Sequence, residues 1–276
     1  MSGVAKPREE NVSQSGIERI AEAFARARAD GRRAALMPYL MGGFPDLGIS
    51  GQIIRAYVEG GADLIELGVP FSDPLADGPV IHQAATAALR SGATVQGVLD
   101  AARDVAGEVP IVAMCYANPI YARGVERFLD ALLAAQICGL IVPDLPLEEA
   151  GELGQHCDSR GLALVPLVAP TTPEDRLGLI GAGARGFVYA VSSVGTTGER
   201  GSLEDRLSGI VARTAACTEV PVAVGFGIGT PEQVGQAAEA GADGVIVGSR
   251  LVRAAAEAEN PVAEAAKLVR SFAQAL

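Results

Sequence analysis

The sequence predicts an α/β fold, a single (β/α)8 barrel of the TIM-barrel type with an extra N-terminal helix and additional helical insertions. Apolar runs of strand length occur eight times within 276 residues, and amphipathic segments of helix length lie between most of them. The runs are apolar throughout, as a parallel strand buried on both faces requires. Repeated βα units allow an open doubly wound sheet or a closed barrel, and eight units in a chain of this length favour the barrel.

The predicted elements alternate along the chain after a polar N-terminal tail. Residues 1–16 are polar and mixed in charge, so we expect a tail there and one barrel domain over 17–276. The spacing of apolar residues predicts an additional helix at 17–30. The expected strands are 36–41, 64–69, 111–115, 139–142, 163–168, 187–191, 222–225 and 244–247. The expected helices include 47–59, 124–135, 147–159 and 231–240, and two helical pieces are expected within 86–108.

The composition excludes several classes of function. The chain has 22 basic and 33 acidic residues, and its net charge of −11 argues against binding to nucleic acid. No run of about 18 apolar residues is present, so we expect no membrane-spanning helix and no membrane partner. Four cysteines without a C-x-x-C pair fit a reducing, cytoplasmic compartment. Lysine occurs only at Lys6 and Lys267, which excludes a Schiff-base lysine in the body of the chain.

Glycines that follow the last two predicted strands indicate a phosphate site. Gly227 lies between the seventh strand and a helix, and Gly248 and Ser249 follow the eighth strand. Loops after strands seven and eight, together with a helix N-terminus, form the usual phosphate site of these barrels. Such glycines also occur in simple turns, and the presence of both loops favours phosphate. Gly198, in the glycine-rich loop 192–202, is expected to close over the same phosphate.

One strand carboxylate and two loop acids are the candidates for acid–base chemistry. Glu66 lies among apolar neighbours in the second strand, where burial raises a carboxyl pKa toward the range useful for proton transfer. A structural acid bound to a neighbouring strand is the alternative. Asp73 and Asp77 lie in the following loop, where acids also begin turns, and chemistry alone does not choose between them. Asp144, at the end of the fourth strand, has no assigned role.

The segment 64–79, LIELGVPFSDPLADGP, closely resembles the signature of the tryptophan synthase alpha subunit family. The resemblance extends over almost the whole chain after the tail and includes YANP at 116–119, PDLP at 143–146 and GFGI at 225–228. It implies a barrel that cleaves indole-3-glycerol phosphate to indole and glyceraldehyde 3-phosphate. It also implies a beta-subunit partner in an α2β2 heterotetramer, with pyridoxal phosphate only in that partner and no cofactor or metal in this chain.

The resemblance also implies a role for individual residues. Glu66 would be the general acid–base, and Asp77 would accept a hydrogen bond from the indole N–H. The substrate-binding side chains would be Tyr39, Tyr116, Tyr189, which supports Glu66, and Thr197, which reaches toward Asp77. The phosphate would bind backbone N–H groups of Gly198, Gly227, Gly248 and Ser249. The contacts with the beta subunit would include Asp73, Asn118 and Pro146.

The chemistry of the residues fits this reaction, which is a retro-aldol cleavage. Aldol-type enzymes commonly use a Schiff-base lysine or a metal ion, and the sequence contains neither a suitably placed lysine nor a set of metal ligands. Acid–base work by Glu66 and charge stabilisation by an ionised Asp77 remain. The alternatives are a stand-alone lyase that needs no beta subunit, another phosphate-sugar barrel such as an isomerase, and a non-catalytic activator of a beta subunit. The signature and its intact acids disfavour the last two.

Overall fold

Nine parallel strands form a nearly closed barrel in the computed structural model, which describes residues 14–191, 203–225 and 227–276. The strands are β1 (Ala35–Met41), β2 (Ile65–Gly68), β3 (Ile111–Met114), β4 (Gly139–Ile141), β5 (Ala163–Val165), β6 (Leu167–Val168), β7 (Val188–Val191), β8 (Val222–Gly225) and β9 (Gly244–Val247). They pair in the order β5-β4-β3-β2-β1-β9-β8-β7-β6, so the first strand joins the last. The predicted barrel fold is confirmed.

Helices surround this barrel and connect most successive strands. They are α1 (Gly16–Ala29), α2 (Leu47–Glu59), α3 (Pro79–Arg90), α4 (Val95–Ala106), α5 (Ala117–Arg123), α6 (Val125–Ala134), α7 (Gly151–Asp158), α8 (Glu174–Gly183), α9 (Leu203–Ala215), α10 (Pro231–Glu239), α11 (Ser249–Glu257) and α12 (Pro261–Ala273). Of the two pieces expected within 86–108, the second is α4, whereas the first is only the end of α3, which already begins at Pro79. The helix expected at 147–159 begins only at Gly151, because a turn follows Pro146 and the Glu149 N–H donates to the Pro146 carbonyl at 3.0 Å.

The strand expected at 163–168 is divided into β5 and β6 at Pro166. Proline has no N–H to donate to a strand ladder, so continuous pairing is interrupted there. β5 pairs with β4 on one side, and β6 pairs with β7 on the other. The Pro166 carbonyl accepts the Tyr189 N–H at 2.9 Å, which carries the ladder past the break. The expected eight strands therefore become nine without a change in their order around the barrel.

The N-terminal helix closes the end of the barrel at which the strands begin. Ile20 and Phe24 of α1 are buried in one cluster with inward-facing strand residues, and Phe24 packs on Phe187 with ring centroids 5.9 Å apart. Arg32, just after α1, forms an ion pair with the buried carboxylate of Asp63. These contacts seal this end, so the loops that follow the strands surround the open end.

Two observations bear on the expectations for the tail and for membranes. α1 begins at Gly16 behind a capping box formed by Ser15 and Glu18. The tail expected over 1–16 remains a prediction, because residues 1–13 lie outside the part of the chain that the structure describes. Among the described helices, none has the length and apolar character needed to cross a membrane.

Candidate active site

A cavity of about 120 Å³ lies at the end of the barrel where the strands finish. Most of the site residues expected from the sequence line it, namely Tyr39, Glu66, Asp77, Tyr189, Gly227, Gly248 and Ser249. A larger groove of about 490 Å³ lies between α7 and α8, and none of those residues lines it. The fold therefore gathers the expected acids, two tyrosines and the glycine loops around one small cavity.

Glu66 projects from β2 into the cavity and is the most strongly buried acid of the site. In the register of the sheet it lies beside Tyr39 of β1 and Val112 of β3. The residue is 1% exposed, and its Oε1 has no hydrogen-bond partner among the described residues. Burial, reinforced by the negative charge of Asp77, raises the pKa of Glu66 to about 8. The carboxyl therefore holds a proton at neutral pH and keeps one oxygen available to a ligand.

Asp77, in the loop between β2 and α3, supplies the second carboxylate of the cavity. Burial raises the pKa of Asp77 above its ordinary value, whereas a hydrogen bond with Tyr116 and the charge of His82 lower it. His82 is exposed on α3. Asp73 is exposed and accepts a hydrogen bond from the Ser72 hydroxyl at 2.5 Å. The fold thus brings Asp77 to the cavity and leaves Asp73 outside it.

Tyr39 and Tyr189 form the inner wall of the cavity, and each ring lies over a glycine of the next strand. A Cβ atom at Gly68 would overlap the Tyr39 hydroxyl and lie 2.8 Å from its Cζ. A Cβ atom at Gly225 would overlap the Tyr189 hydroxyl in the same way. Burial, together with nearby ionisable groups that include both site acids, raises the pKa of each tyrosine well above its ordinary value. Both hydroxyls therefore stay protonated.

The glycine loops after β8 and β9 also line the cavity, through Gly227, Gly248 and Ser249. Gly227 has φ of +79°, a left-handed conformation that favours glycine. Gly248 is the N-cap of α11 and Ser249 is its first residue, so a helix start, whose first N–H groups have no partner within the helix, lies at the cavity. Such a helix start, next to an open glycine loop, attracts an anion. Thr197 and Gly198 lie outside the described residues, so their expected contacts stay predictions.

Tyr116 touches the loop of Asp77 from the end of β3. Its hydroxyl accepts the Ala76 N–H at 3.0 Å and also interacts with the Asp77 carboxylate, which lowers the pKa of Asp77. Its ring packs against Phe71 with centroids 5.5 Å apart. Tyr116 therefore contacts the loop of Asp77 without lining the cavity itself.

The three residues expected at a partner interface all lie at the open end of the barrel. Asp73, Asn118 and Pro146 are exposed on the segments that follow β2, β3 and β4, which are neighbouring strands. Leu75 is 93% exposed and Tyr121 is 50% exposed on the same segments. An exposed group of large apolar side chains is typical of a protein–protein contact.

The apolar walls of the cavity are the part of the site that sequence reasoning missed. They are formed by Ile81, Met114, Ile228 and Ile246. In the sequence these residues look like ordinary core positions, so no signal distinguishes them. They provide a surface for a flat apolar ring beside two carboxyls. Within the described ranges, no cluster of three His, Cys, Asp or Glu side chains is arranged to hold a metal ion.

The model of the tryptophan synthase alpha chain family matches residues 24–276 of this sequence. The chain belongs to the tryptophan synthase alpha chain family. The match spans every site residue discussed above, from Tyr39 to Ser249. The resemblance inferred from the segment 64–79 is therefore confirmed.

Individual members of the tryptophan synthase alpha chain family are similar over nearly their whole length. The alpha chain of Prochlorococcus marinus (strain MIT 9313) is 50% identical over 252 residues, which cover 90% of this chain and 91% of the relative. That of Arabidopsis thaliana is 43% identical over 244 residues and 88% of both chains. A solved structure of Mycobacterium tuberculosis tryptophan synthase superposes with a TM-score of 0.85 at 39% identity, covering 95% of this chain and 98% of that chain.

The close approach of Tyr39 to Gly68 makes a testable prediction for this alpha chain. We expect Gly68→Ala to displace the Tyr39 ring, lower the free energy of unfolding by about 1–3 kcal/mol and reduce kcat/KM at least about tenfold. Tyr39→Phe in the same chain removes the overlapping hydroxyl and restores part of both losses. Thermal unfolding and indole release measure the two effects.

Gly178→Ala is the matched control for this substitution. Nothing lies within 4 Å of a Cβ at Gly178, which is a helical residue of α8. Alanine there stabilises the helix by up to about 1 kcal/mol and leaves kcat/KM unchanged. Wild-type kcat/KM in Gly68→Ala would contradict the role given to this close packing.

Proposed function

We propose that this chain cleaves indole-3-glycerol phosphate to indole and glyceraldehyde 3-phosphate, with Glu66 as its acid–base group. The observation that carries the proposal is a buried carboxyl whose pKa is raised to about 8 and whose Oε1 has no partner among the described residues. A second carboxylate, an apolar wall and an anion-binding loop share the same cavity. These are the groups that an indole ring bearing a phosphorylated side chain requires.

The cleavage needs two proton transfers of opposite direction, and one carboxyl can make both. Glu66 donates its proton to the indole carbon that bears the side chain, which produces a cationic indolenine. The resulting carboxylate then accepts the proton of the adjacent side-chain hydroxyl. The carbon–carbon bond breaks, its electrons return to the ring, and the hydroxyl oxygen becomes the aldehyde oxygen. Glu66 is protonated again at the end of the cycle, so the reaction consumes no acid, oxidant or cofactor.

Asp77 stabilises the positive charge of the intermediate. Its carboxylate accepts a hydrogen bond from the indole N–H and lies close to the developing charge. The hydrogen bond with Tyr116 and the charge of His82 oppose the effect of burial on the pKa of Asp77 and favour its ionised form. In this proposal Glu66 is the protonated acid and Asp77 the ionised one, which is the division of roles that the reaction needs.

The phosphate group is proposed to bind the backbone of the two glycine loops. Gly227, Gly248 and Ser249 offer N–H groups without a bulky side chain in front of them, and Gly198 adds a fourth contact in this proposal. The start of α11 contributes partial positive charge. A chain of net charge −11 can hold an anionic substrate in this way, because the contacts use backbone dipoles instead of lysine.

The proposed partner is a tryptophan synthase beta subunit, in an α2β2 heterotetramer. It would cover the open end of the barrel at Asp73, Asn118 and Pro146, where Leu75 and Tyr121 expose apolar surface. Indole then passes to the beta subunit, which carries the pyridoxal phosphate, and this chain needs no cofactor of its own. The cytoplasm is the proposed compartment, because all four cysteines are free thiols.

Two measurements test the catalytic proposal: the pH dependence of cleavage and the activity of Glu66→Gln. We expect kcat/KM to fall above about pH 8 as Glu66 loses its proton, and to fall at acidic pH as Asp77 gains one. Glu66→Gln lowers kcat by at least about a thousandfold, because the amide neither donates nor accepts the proton. Binding of glycerol 3-phosphate, measured by calorimetry, persists in that variant.

Glu59→Gln, an exposed change at the end of α2, is the control and keeps the wild-type profile. Full activity of Glu66→Gln would exclude Glu66 as the acid–base group. Loss of glycerol 3-phosphate binding in Glu66→Gln would show that the substitution damages the cavity as a whole.

Addition of a beta subunit tests the proposed partner. We expect turnover of indole-3-glycerol phosphate to rise as beta subunit is titrated in and to reach a plateau at equal numbers of the two subunits. Leu75→Asp moves the plateau to higher beta-subunit concentration, because it places a charge in an apolar contact. High turnover of the isolated chain that the beta subunit does not change would support a stand-alone lyase instead.

A further inference from the structure

Asp144 is a strand-end acid that the proposed mechanism does not use. It follows β4 at the open end of the barrel, and its side chain is directed at the start of α5. The Asp144 Oδ1 accepts the N–H of Ala117, the first residue of α5, at 2.9 Å. Tyr116 is the N-cap residue of the same helix and makes no side-chain capping bond of its own. The β4 acid therefore supplies the cap that α5 lacks.

The capped start of α5 is next to Tyr116, the residue that contacts the loop of Asp77. Tyr116 immediately precedes Ala117, and its hydroxyl accepts the Ala76 N–H at 3.0 Å. The same hydroxyl interacts with the Asp77 carboxylate and lowers the pKa of that group, and the ring rests on Phe71. A continuous series of contacts thus leads from Asp144 through Ala117 and Tyr116 to Asp77.

We infer that Asp144 is a positioning residue for the lyase reaction, which orients Asp77 by holding Tyr116 at the start of α5. The inference rests on the proposed function, since it concerns the carboxylate assigned to the indole N–H. Asp144 touches no part of the cavity itself. Its effect on the reaction passes through the backbone N–H of Ala117 and the side chain of Tyr116.

The direction in which the acidic limb of the kcat profile shifts distinguishes a positioning role of Asp144 from a direct effect of its charge on Asp77. The ionisable groups that face Asp77 are Glu66 of β2, Tyr39 of β1, Tyr116 after β3, Tyr189 of β7 and His82 of α3. Tyr116 lowers the pKa of Asp77 through its hydrogen bond, so loosening Tyr116 moves the acidic limb of the kcat profile to higher pH. Removal of the negative charge of Asp144, with Tyr116 held in place, shifts the limb in the opposite direction.

The test compares pH profiles of kcat for the full-length chain cleaving indole-3-glycerol phosphate. Asp144→Ala removes the oxygen that accepts the Ala117 N–H, whereas Asp144→Asn keeps an acceptor oxygen without the charge. Tyr116→Phe removes the hydroxyl through which Tyr116 contacts the loop of Asp77. Ala117→Pro removes the N–H that donates to Asp144, so the same hydrogen bond is lost while Asp144 is kept. The helix α5 is retained, because proline is favoured at the first position of a helix. The extended conformation of Tyr116, with ψ of 156°, is compatible with a following proline.

The matched control is Asp46→Ala. Asp46 is an exposed acid after β1 whose Oδ1 caps α2 through the Ile49 N–H at 2.9 Å, the same distance as at Asp144. Its removal lowers Tm by a few degrees, about 2–4 °C, as loss of a cap does. It does not move the acidic limb.

We expect Asp144→Ala and Ala117→Pro each to lower kcat roughly tenfold and to move the acidic limb upward, while Asp144→Asn keeps kcat near the wild-type value and does not move the limb upward. In the Tyr116→Phe background, Asp144→Ala adds no further shift. A wild-type profile in Ala117→Pro, or an undiminished effect of Asp144→Ala in the Tyr116→Phe background, would overturn the inference. A wild-type chain without lyase activity would instead overturn the proposed function.

Discussion

The burial of the Glu66 carboxyl inside an apolar barrel is the constraint on which the rest of the site depends. An ionised carboxylate is costly there, so the group stays protonated at neutral pH. Asp77 sits nearer the solvent, where a hydroxyl and a histidine favour its charged form. Two acids of the same chemistry thus differ in their surroundings: every cause acting on Glu66 raises its pKa, whereas Tyr116 and His82 oppose the effect of burial on the pKa of Asp77. This separation allows a single cavity to donate a proton and to stabilise a cation.

The packing around Glu66 explains why small residues recur at this end of the barrel. Tyr39 and Tyr189 occupy the space next to the carboxyl, and glycines in the neighbouring strands make room for their rings. The helix α1 closes the other end of the barrel, so the cavity opens at the end where the strands finish. Glycines in the loops also leave N–H groups open to a phosphate. The apolar interior, the aromatic wall and the proposed anion site all follow from one arrangement of parallel strands with their loops at a common end.

Much of this arrangement can be predicted from the sequence, and the limits have physical causes. Strand periodicity predicts the barrel, but the effect of Pro166 on pairing depends on which strands lie beside it. The flanking residues of Glu66 indicate its burial, whereas Asp73 and Asp77 look alike until the loop is folded. The role of Asp144 depends on a contact with Ala117, a residue far away in sequence whose side chain carries no polar group. The apolar cavity wall cannot be told from core by composition alone.

The protonation state of Glu66 is the central claim, and an infrared titration measures it most directly. The difference spectrum between wild type and Glu66→Gln isolates the carboxylic acid band of this one side chain. The account predicts that the band persists through neutral pH and disappears with a midpoint at about 8. A midpoint near 4.5, the ordinary value for glutamate, would contradict it, because Glu66 would then have no proton to donate at neutral pH.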